Sequence, residues 1–143
     1  MPSLTKAIVD GFGALTKVCV VEWLSAGGDS VVSLGLAFEH GSLLVRANGE
    51  EDSMSLLAAP ALHGEDISHE PPWREAIGRG VMWVWRLTNQ QGYEDACQIE
   101  FGKPTRPGQE DNVTVQVVVA GSALHVATVS EWTSWRSTES ADS

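Results

Sequence analysis

Between Gly80 and Asp95 the chain gathers two tryptophans, Trp83 and Trp85, a phenol, Tyr93, the amides Asn89, Gln90 and Gln91, and the carboxylates Glu94 and Asp95. These are recognition groups more than bond-breaking ones. Indole and phenol rings supply rigid, amphipathic contact area, and side-chain amides offer a donor and an acceptor together. Three uses compete. Asn89 and Asp95 satisfy backbone groups in a loop while Tyr93 packs with its hydroxyl bonded, since turns commonly employ these residue types locally. Alternatively, Asn89, Gln90, Gln91 and Asp95 point outward and bind a partner, with Trp83, Trp85 and Tyr93 as anchors. In the third use, Trp83, Trp85 and Tyr93 line a pocket in which Asn89, Gln90 and Asp95 fix a small polar ligand.

Other chemistries find less footing. His63 and His69, with Glu65, Asp66 and Glu70, form the one group resembling metal ligands, but their spacing matches no compact zinc pattern and they fall in an acidic loop. His125 lies on a strand pattern and His40 beside Gly41 reads as a turn residue. There is no Gly-x-Ser-x-Gly elbow and no glycine loop leading from strand to helix that would hold phosphate. Glu94 and Asp95 are neighbours on a strand, so they point to opposite faces and make a poor acid and base pair. The expectation is a domain without catalytic residues, metal or cofactor.

Composition narrows the partner. A chain of 143 residues with 43% hydrophobic content is long enough to bury a core as one globular domain, expected over residues 1–135. Its net charge of -10 argues against nucleic acid, which demands clustered Lys and Arg. A basic protein suits that charge better, although acidic residues spread through loops also simply keep a surface solvated. The apolar run before Asp10 is too short for a signal peptide and no run is long enough to span a bilayer, so a cytoplasmic setting is expected. Cys19 and Cys97 then read as reduced core residues, and the sequon Asn112-Val113-Thr114 has no meaning without export.

The elements that must position these groups follow from periodicity. Leu4, Ala7, Ile8, Phe12 and Leu15 recur at helical spacing, weakened late by Gly11 and Gly13. Alternating patterns predict strands over residues 17–24, 32–38, 42–47 and 53–57, with Asn48-Gly49 as a hairpin signal. Periodicity then vanishes over residues 58–72, and residues 73–77 suit a single helical turn. Val81, Trp83, Trp85 and Leu87 fall on one side of the next strand and Met82, Val84 and Arg86 on the other, which predicts a central strand buried on both faces. Residues 89–92 carry turn chemistry. Tyr93, Asp95, Cys97, Ile99 and Phe101 then alternate with polar neighbours. After a loop over residues 102–111, two valine-rich strands flank Gly121-Ser122, whose leading glycine suits a type II′ turn. Residues 131–135 close the fold, and 136–143 form a small, polar tail expected to be disordered. The sum is an α+β domain, mainly an antiparallel sheet of about seven or eight strands with the N-terminal helix packed on it.

The pattern Trp73, Ile77-Gly78, Trp83-x-Trp85-x-Leu87-Thr88-Asn89-Gln90-Gln91-Gly92-Tyr93-x-Asp95, continuing to Gln98-Ile99-Glu100-Phe101, resembles a small bacterial single-domain family of unknown function. The resemblance covers the middle third of the chain. It implies a compact α+β fold and a bacterial cytoplasmic setting, and it brings no activity, substrate or catalytic residue. Small acidic bacterial domains of this sort are similar in size and charge to immunity proteins that neutralise toxins. The expected function is therefore a non-enzymatic acidic protein-binding module, immunity-like or inhibitor-like, whose partner is a basic protein such as a toxin. The alternative is a small-ligand-binding domain with an aromatic pocket.

Overall fold

The computed structural model describes residues 3–60, 62–102 and 112–129. In chain order they form α1 (Leu4–Gly11), β1 (Leu15–Trp23), β2 (Val31–Phe38), β3 (Gly41–Asn48), β4 (Ser53–Ala58), β5 (Glu65–Asp66), α2 (Trp73–Ala76), β6 (Gly80–Thr88), β7 (Glu94–Gly102), β8 (Val113–Ala120) and β9 (Ala123–Val129). The expected closing segment 131–135, the tail 136–143 and most of the expected loop, residues 103–111, lie outside the described residues.

Helix α1 begins where the Ser3 hydroxyl accepts the Lys6 N–H at 3.1 Å, an N-cap that satisfies one of the orphan donors of a helix start. One turn on, Lys6 Nζ meets Asp10 at 2.6 Å. Ile8 is buried in the core, and Phe12 stacks obliquely on Phe38 with ring centroids 5.6 Å apart. Leu15, which matched the helical spacing, instead opens β1. The reason is Gly13, whose φ of +78° ends any helical path two residues earlier.

The sheet is antiparallel throughout, with the order β4-β3-β2-β9-β8-β7-β6, and β1 and β5 attached beside β2. It behaves as two blocks, β1 to β5 and β6 to β9, joined at Val31↔Leu124 and again at the bridge Ala14↔Gly80. Val18, Val20, Leu34, Leu36, Leu43 and Val45 from the first block share one core with Cys97, Ile99, Phe101, Val115 and Val117 from the second. Each such side chain contributes about 1.5–3 kcal/mol on full burial, which is what holds two otherwise weakly joined blocks together. Among the described residues nine strands stand where about seven or eight were expected, the surplus including two-residue β5 in the stretch that showed no periodicity. None of the helices among the described residues is long and apolar enough to cross a membrane.

Two further features depart from the sequence reading. Gly121 and Ser122 both have positive φ, 60° and 67°, so the β8–β9 turn has the signature of type I′, not type II′. The strain at Ser122 is supported from outside the hairpin: its N–H donates to Asp52 Oδ1 at 2.8 Å and its hydroxyl donates to the Gly49 carbonyl at 3.3 Å. Asp52 itself sits at φ 48°, so the tips of two hairpins far apart in sequence clasp each other. The second departure concerns β6. It was expected to be central and buried on both faces, yet it ends the strand order and most of its residues from Trp83 onward are exposed.

Candidate functional site

The exposure of β6 has a local cause. Val81 lies opposite Phe101 and Trp83 opposite Glu100, so Met82 is an extra residue with no counterpart on β7. Such a bulge reverses the side-chain alternation, because a slip of one residue exchanges the two faces of a strand. Val81 stays in the core, while Trp83, Trp85 and Leu87 turn to the outer face, opposite Glu100, Gln98 and Ala96. Val84 takes the inner side, opposite the buried Ile99. The outer face continues across β8 through Thr114, Gln116 and Val118 and reaches Val129, Ala127 and His125 on β9.

On that face Trp83 is 61% exposed and Trp85 38%, with ring centroids 6.4 Å apart and planes at 33°. Leu87 and Tyr93 extend the exposed apolar surface toward the turn. Behind the indoles, Gln98 Nε2 donates to Gln116 Oε1 at 2.6 Å, and Asn112 Nδ2 donates to Glu100 Oε2 at 2.8 Å. On the other side of the strand Arg86 Nη2 pairs with Glu94 Oε2 at 2.6 Å.

The turn after β6 is built on Asn89. Its backbone N–H donates to the Tyr93 carbonyl at 2.9 Å, and its carbonyl accepts the Gly92 N–H at 3.0 Å. Its side-chain oxygen accepts the N–H groups of Gln91 and Tyr93 at 2.9 and 3.2 Å, and its Nδ2 donates to Asp95 Oδ2 at 3.3 Å. Gly92, at φ +89°, supplies the left-handed residue that lets the chain return. Asn89 and Asp95 are thus engaged inside the turn. Gln90 and Gln91 stand exposed at its tip, and the Tyr93 ring is 40% exposed beyond it. The seven residues singled out in the sequence therefore divide by place: Trp83 and Trp85 on the strand face, Gln90, Gln91 and the Tyr93 ring at the exposed tip, Asn89 and Asp95 in the scaffold beneath.

Helix α1 borders the same strand, which the sequence reading did not foresee. A shallow groove of about 280 Å3 is lined by Thr5, Lys6, Val9, Asp10, Trp83 and Val84. It adjoins a larger one of about 510 Å3, floored by Gly13, Ala14 and Gly80 and rimmed by Asp10, Glu39 and Met82. The available signal was Val9, an apolar residue off the stripe made by Leu4, Ala7, Ile8 and Phe12, and it is exposed.

The remaining reactive groups are subdued. Burial pushes the Cys97 thiol up to about 12 and raises Cys19 as well, so neither is a ready thiolate nucleophile. Hydrogen bonds from Ser68, side chain and then backbone, hold the Asp66 carboxyl below the usual carboxylate range, and the Ser68 N–H lies 2.9 Å from Asp66 Oδ1. His63 and His69 are exposed, and His125 Nε2 lies 3.0 Å from the Ala120 carbonyl. No group of three or more His, Cys, Asp or Glu side chains among the described residues is placed to hold a metal ion.

Fold and site together define a small, mainly antiparallel α+β domain that displays aromatic side chains on the strand that ends the sheet order among the described residues. The chain belongs to the family described as Family of unknown function (DUF6334), whose model matches residues 6–133. That match extends well beyond the middle third on which the sequence resemblance rested. No curated protein and no solved structure matches the chain.

Proposed function

We propose that this domain is a non-enzymatic protein-binding module whose contact face is the outer side of β6, with Trp83 and Trp85 as anchors and Leu87, Tyr93, Gln90 and Gln91 around them. One observation carries the reading: a tryptophan pair, 61% and 38% exposed, stands on a strand at the end of the sheet order. A fully covered tryptophan buries about 150–250 Å2, and at about 25 cal/mol per Å2 the exposed part of Trp83 alone amounts to roughly 2–4 kcal/mol that a partner could recover. Buried indoles are also the commonest anchors of binding hot spots. The net charge of -10 favours a basic partner, which is the setting of an inhibitor-like or immunity-like role.

The alternative of a small ligand held between Trp83, Trp85 and Tyr93 draws less support, because an indole that is 61% exposed does not wall an enclosed cleft. A photo-crosslinking amino acid placed at position 85, and in a separate variant at position 57 on β4, tests the proposal in the native host. Adducts at 85 that are lost on Trp83→Ala, with none at 57, are the expected result. Equal adducts at both positions, or adducts indifferent to Trp83, would overturn the assignment of this face.

A further inference from the structure

We infer that the segment following β9 in the sequence, residues 130–135, turns back across the outer face of the sheet and seats its own tryptophans there, Trp132 over Gln98 and Gln116 and Trp135 against the indole of Trp85. The seat is intramolecular, goes beyond the partner reading, and leaves Trp83 as the indole that a partner meets. Of the six tryptophans, Trp73 lies in the core and Trp23 packs partly against it. The other four come in two pairs, Trp83 with Trp85 on the outer face and Trp132 with Trp135 shortly after Val129. Trp85 is 38% exposed against 61% for Trp83, although both project from the same side of one strand, and it makes a further interaction within the chain besides its contact with Trp83. Ala96 and Thr114, which also project outward, are only 6% and 4% exposed, so the outer face is not uniformly open. The family match runs to residue 133, past the end of β9 at Val129, which makes the chain just beyond that strand part of the shared domain.

Register and reach select this route. Val129, Thr114, Glu100 and Trp83 share one cross-strand row, so β9 ends level with the start of the exposed tryptophans. Gln116, Gln98 and Trp85 lie in the next outward row. Three strand spacings of about 4.8 Å put β6 about 14 Å from β9, and the two rows are about 6.7 Å apart along the strands. An extended chain advances at most about 3.3–3.6 Å per residue, which carries it about 10 Å by Trp132 and about 20 Å by Trp135. The first distance reaches the two glutamines and the second reaches Trp85. Gln98 and Gln116 spend an amide on each other at 2.6 Å, and an indole laid over them covers that bond without competing for it. Two indoles in offset or edge-to-face contact bury large apolar area together. Arg136 is the one cation in residues 130–143, and Glu100, whose hydrogen bond from Asn112 leaves its charge in place, lies within an arginine's reach of the Trp85 seat.

NMR on the full chain tests the seat, with the indole N–H signals assigned by one Trp→Phe variant at a time. In the wild-type chain, NOEs are expected between Trp135 and Trp85 and between Trp132 and the side chains of Gln98 and Gln116. The Trp132→Ala/Trp135→Ala variant should shift the Trp85 indole signal while the amides of β7 and β8 keep their dispersion. Trp85→Ala should in turn bring the amides of residues 131–135 to random-coil shifts. Absence of those NOEs, NOEs that place the segment in the groove beside α1, or a Trp85 signal unmoved by the double variant would each overturn the inference. NOEs found only between differently labelled copies in a mixed sample would overturn it in favour of a segment supplied by a second copy. None of these readouts involves a partner, so the seat stands or falls separately from the binding role of Trp83.

Discussion

Strands β1 and β6 occupy comparable places, each starting at the Ala14↔Gly80 bridge and each presenting a side away from its main partner, yet the molecule finishes them in opposite ways. On β1 that side is occupied. Cys19 and Val20 pair with Asp66 and Glu65 of β5, Ser68 exchanges hydrogen bonds with the backbone of Val18, and Leu62 lies over Gly35 so closely that a Cβ there would stand 2.8 Å from its methyl. Cys19, on the outer face of its strand, is buried as a result. On β6 the preceding turn is Trp73–Ala76, and Trp83 remains 61% exposed and Trp85 38%. Two strands of similar apolar content thus end as core and as surface. Among the described residues, the difference lies in whether a connecting segment returns over them.

Several substitutions would break or sharpen that contrast. The largest effect is expected from Trp73→Ala, because this indole is only 2% exposed and its removal leaves a cavity costing about 3–5 kcal/mol. Urea denaturation would measure it, and a loss comparable to that of Trp83→Ala would deny that burial separates the two. Gly64→Ala comes next. A Cβ at this position would stand 2.0 Å from the Val20 carbonyl, so the connection must lift from β1, at a cost of about 2–3 kcal/mol. Faster reaction of Cys19 with a thiol reagent in the folded variant should accompany the loss.

Asn89→Ala should lower stability by about 1–2 kcal/mol, since its side chain serves two backbone donors and Asp95. A variant with an unchanged denaturation midpoint but weakened partner capture would move Asn89 from scaffold to contact surface. Alkaline pH should act through Cys97. Its folded value of about 12 exceeds the ordinary 9.0, so the stability from the buried neutral thiol is complete below 9.0 and is lost as pH climbs toward 12. At pH about 10 the loss is on the order of 1 kcal/mol, and the difference between wild type and Cys97→Ala across that window isolates it. The smallest effects belong to Trp83→Ala and Gln90→Ala, each within about 0.5 kcal/mol of wild type in denaturation, with partner capture the property that changes. A large stability loss in either would show the exposed face to be structural.

Much of the fold could be read from spacing. The β2–β3 hairpin, the Asn48-Gly49 approach to β4, the alternation of Cys97, Ile99 and Phe101 on β7 and the valine hairpin around Gly121 all appear where the residues put them. These are local rules, in which a strand's period or a turn's φ is set by neighbours in the chain. The site was legible only in part. Its candidate residues could be picked out by type but not placed: Asn89 carries chemistry that suits a ligand and a turn equally, and the structure sets five hydrogen bonds around it within the turn.

By itself, the sequence determined which segments become strands, the antiparallel and mainly β character, the burial of both cysteines and the charge of the surface, because periodicity, turn residues and composition act through short-range sterics and solvation. The tertiary structure decided the position of β6 at the end of the order, the extra residue at Met82 that turns Trp83 outward, the hairpin clasp between Asp52 and Ser122, and the groove beside α1. Each of these depends on pairing register between strands distant in the chain. A pattern of period two reads the same whether its next partner is another strand or water, so burial of the tryptophans could not be settled before the neighbours of β6 were known.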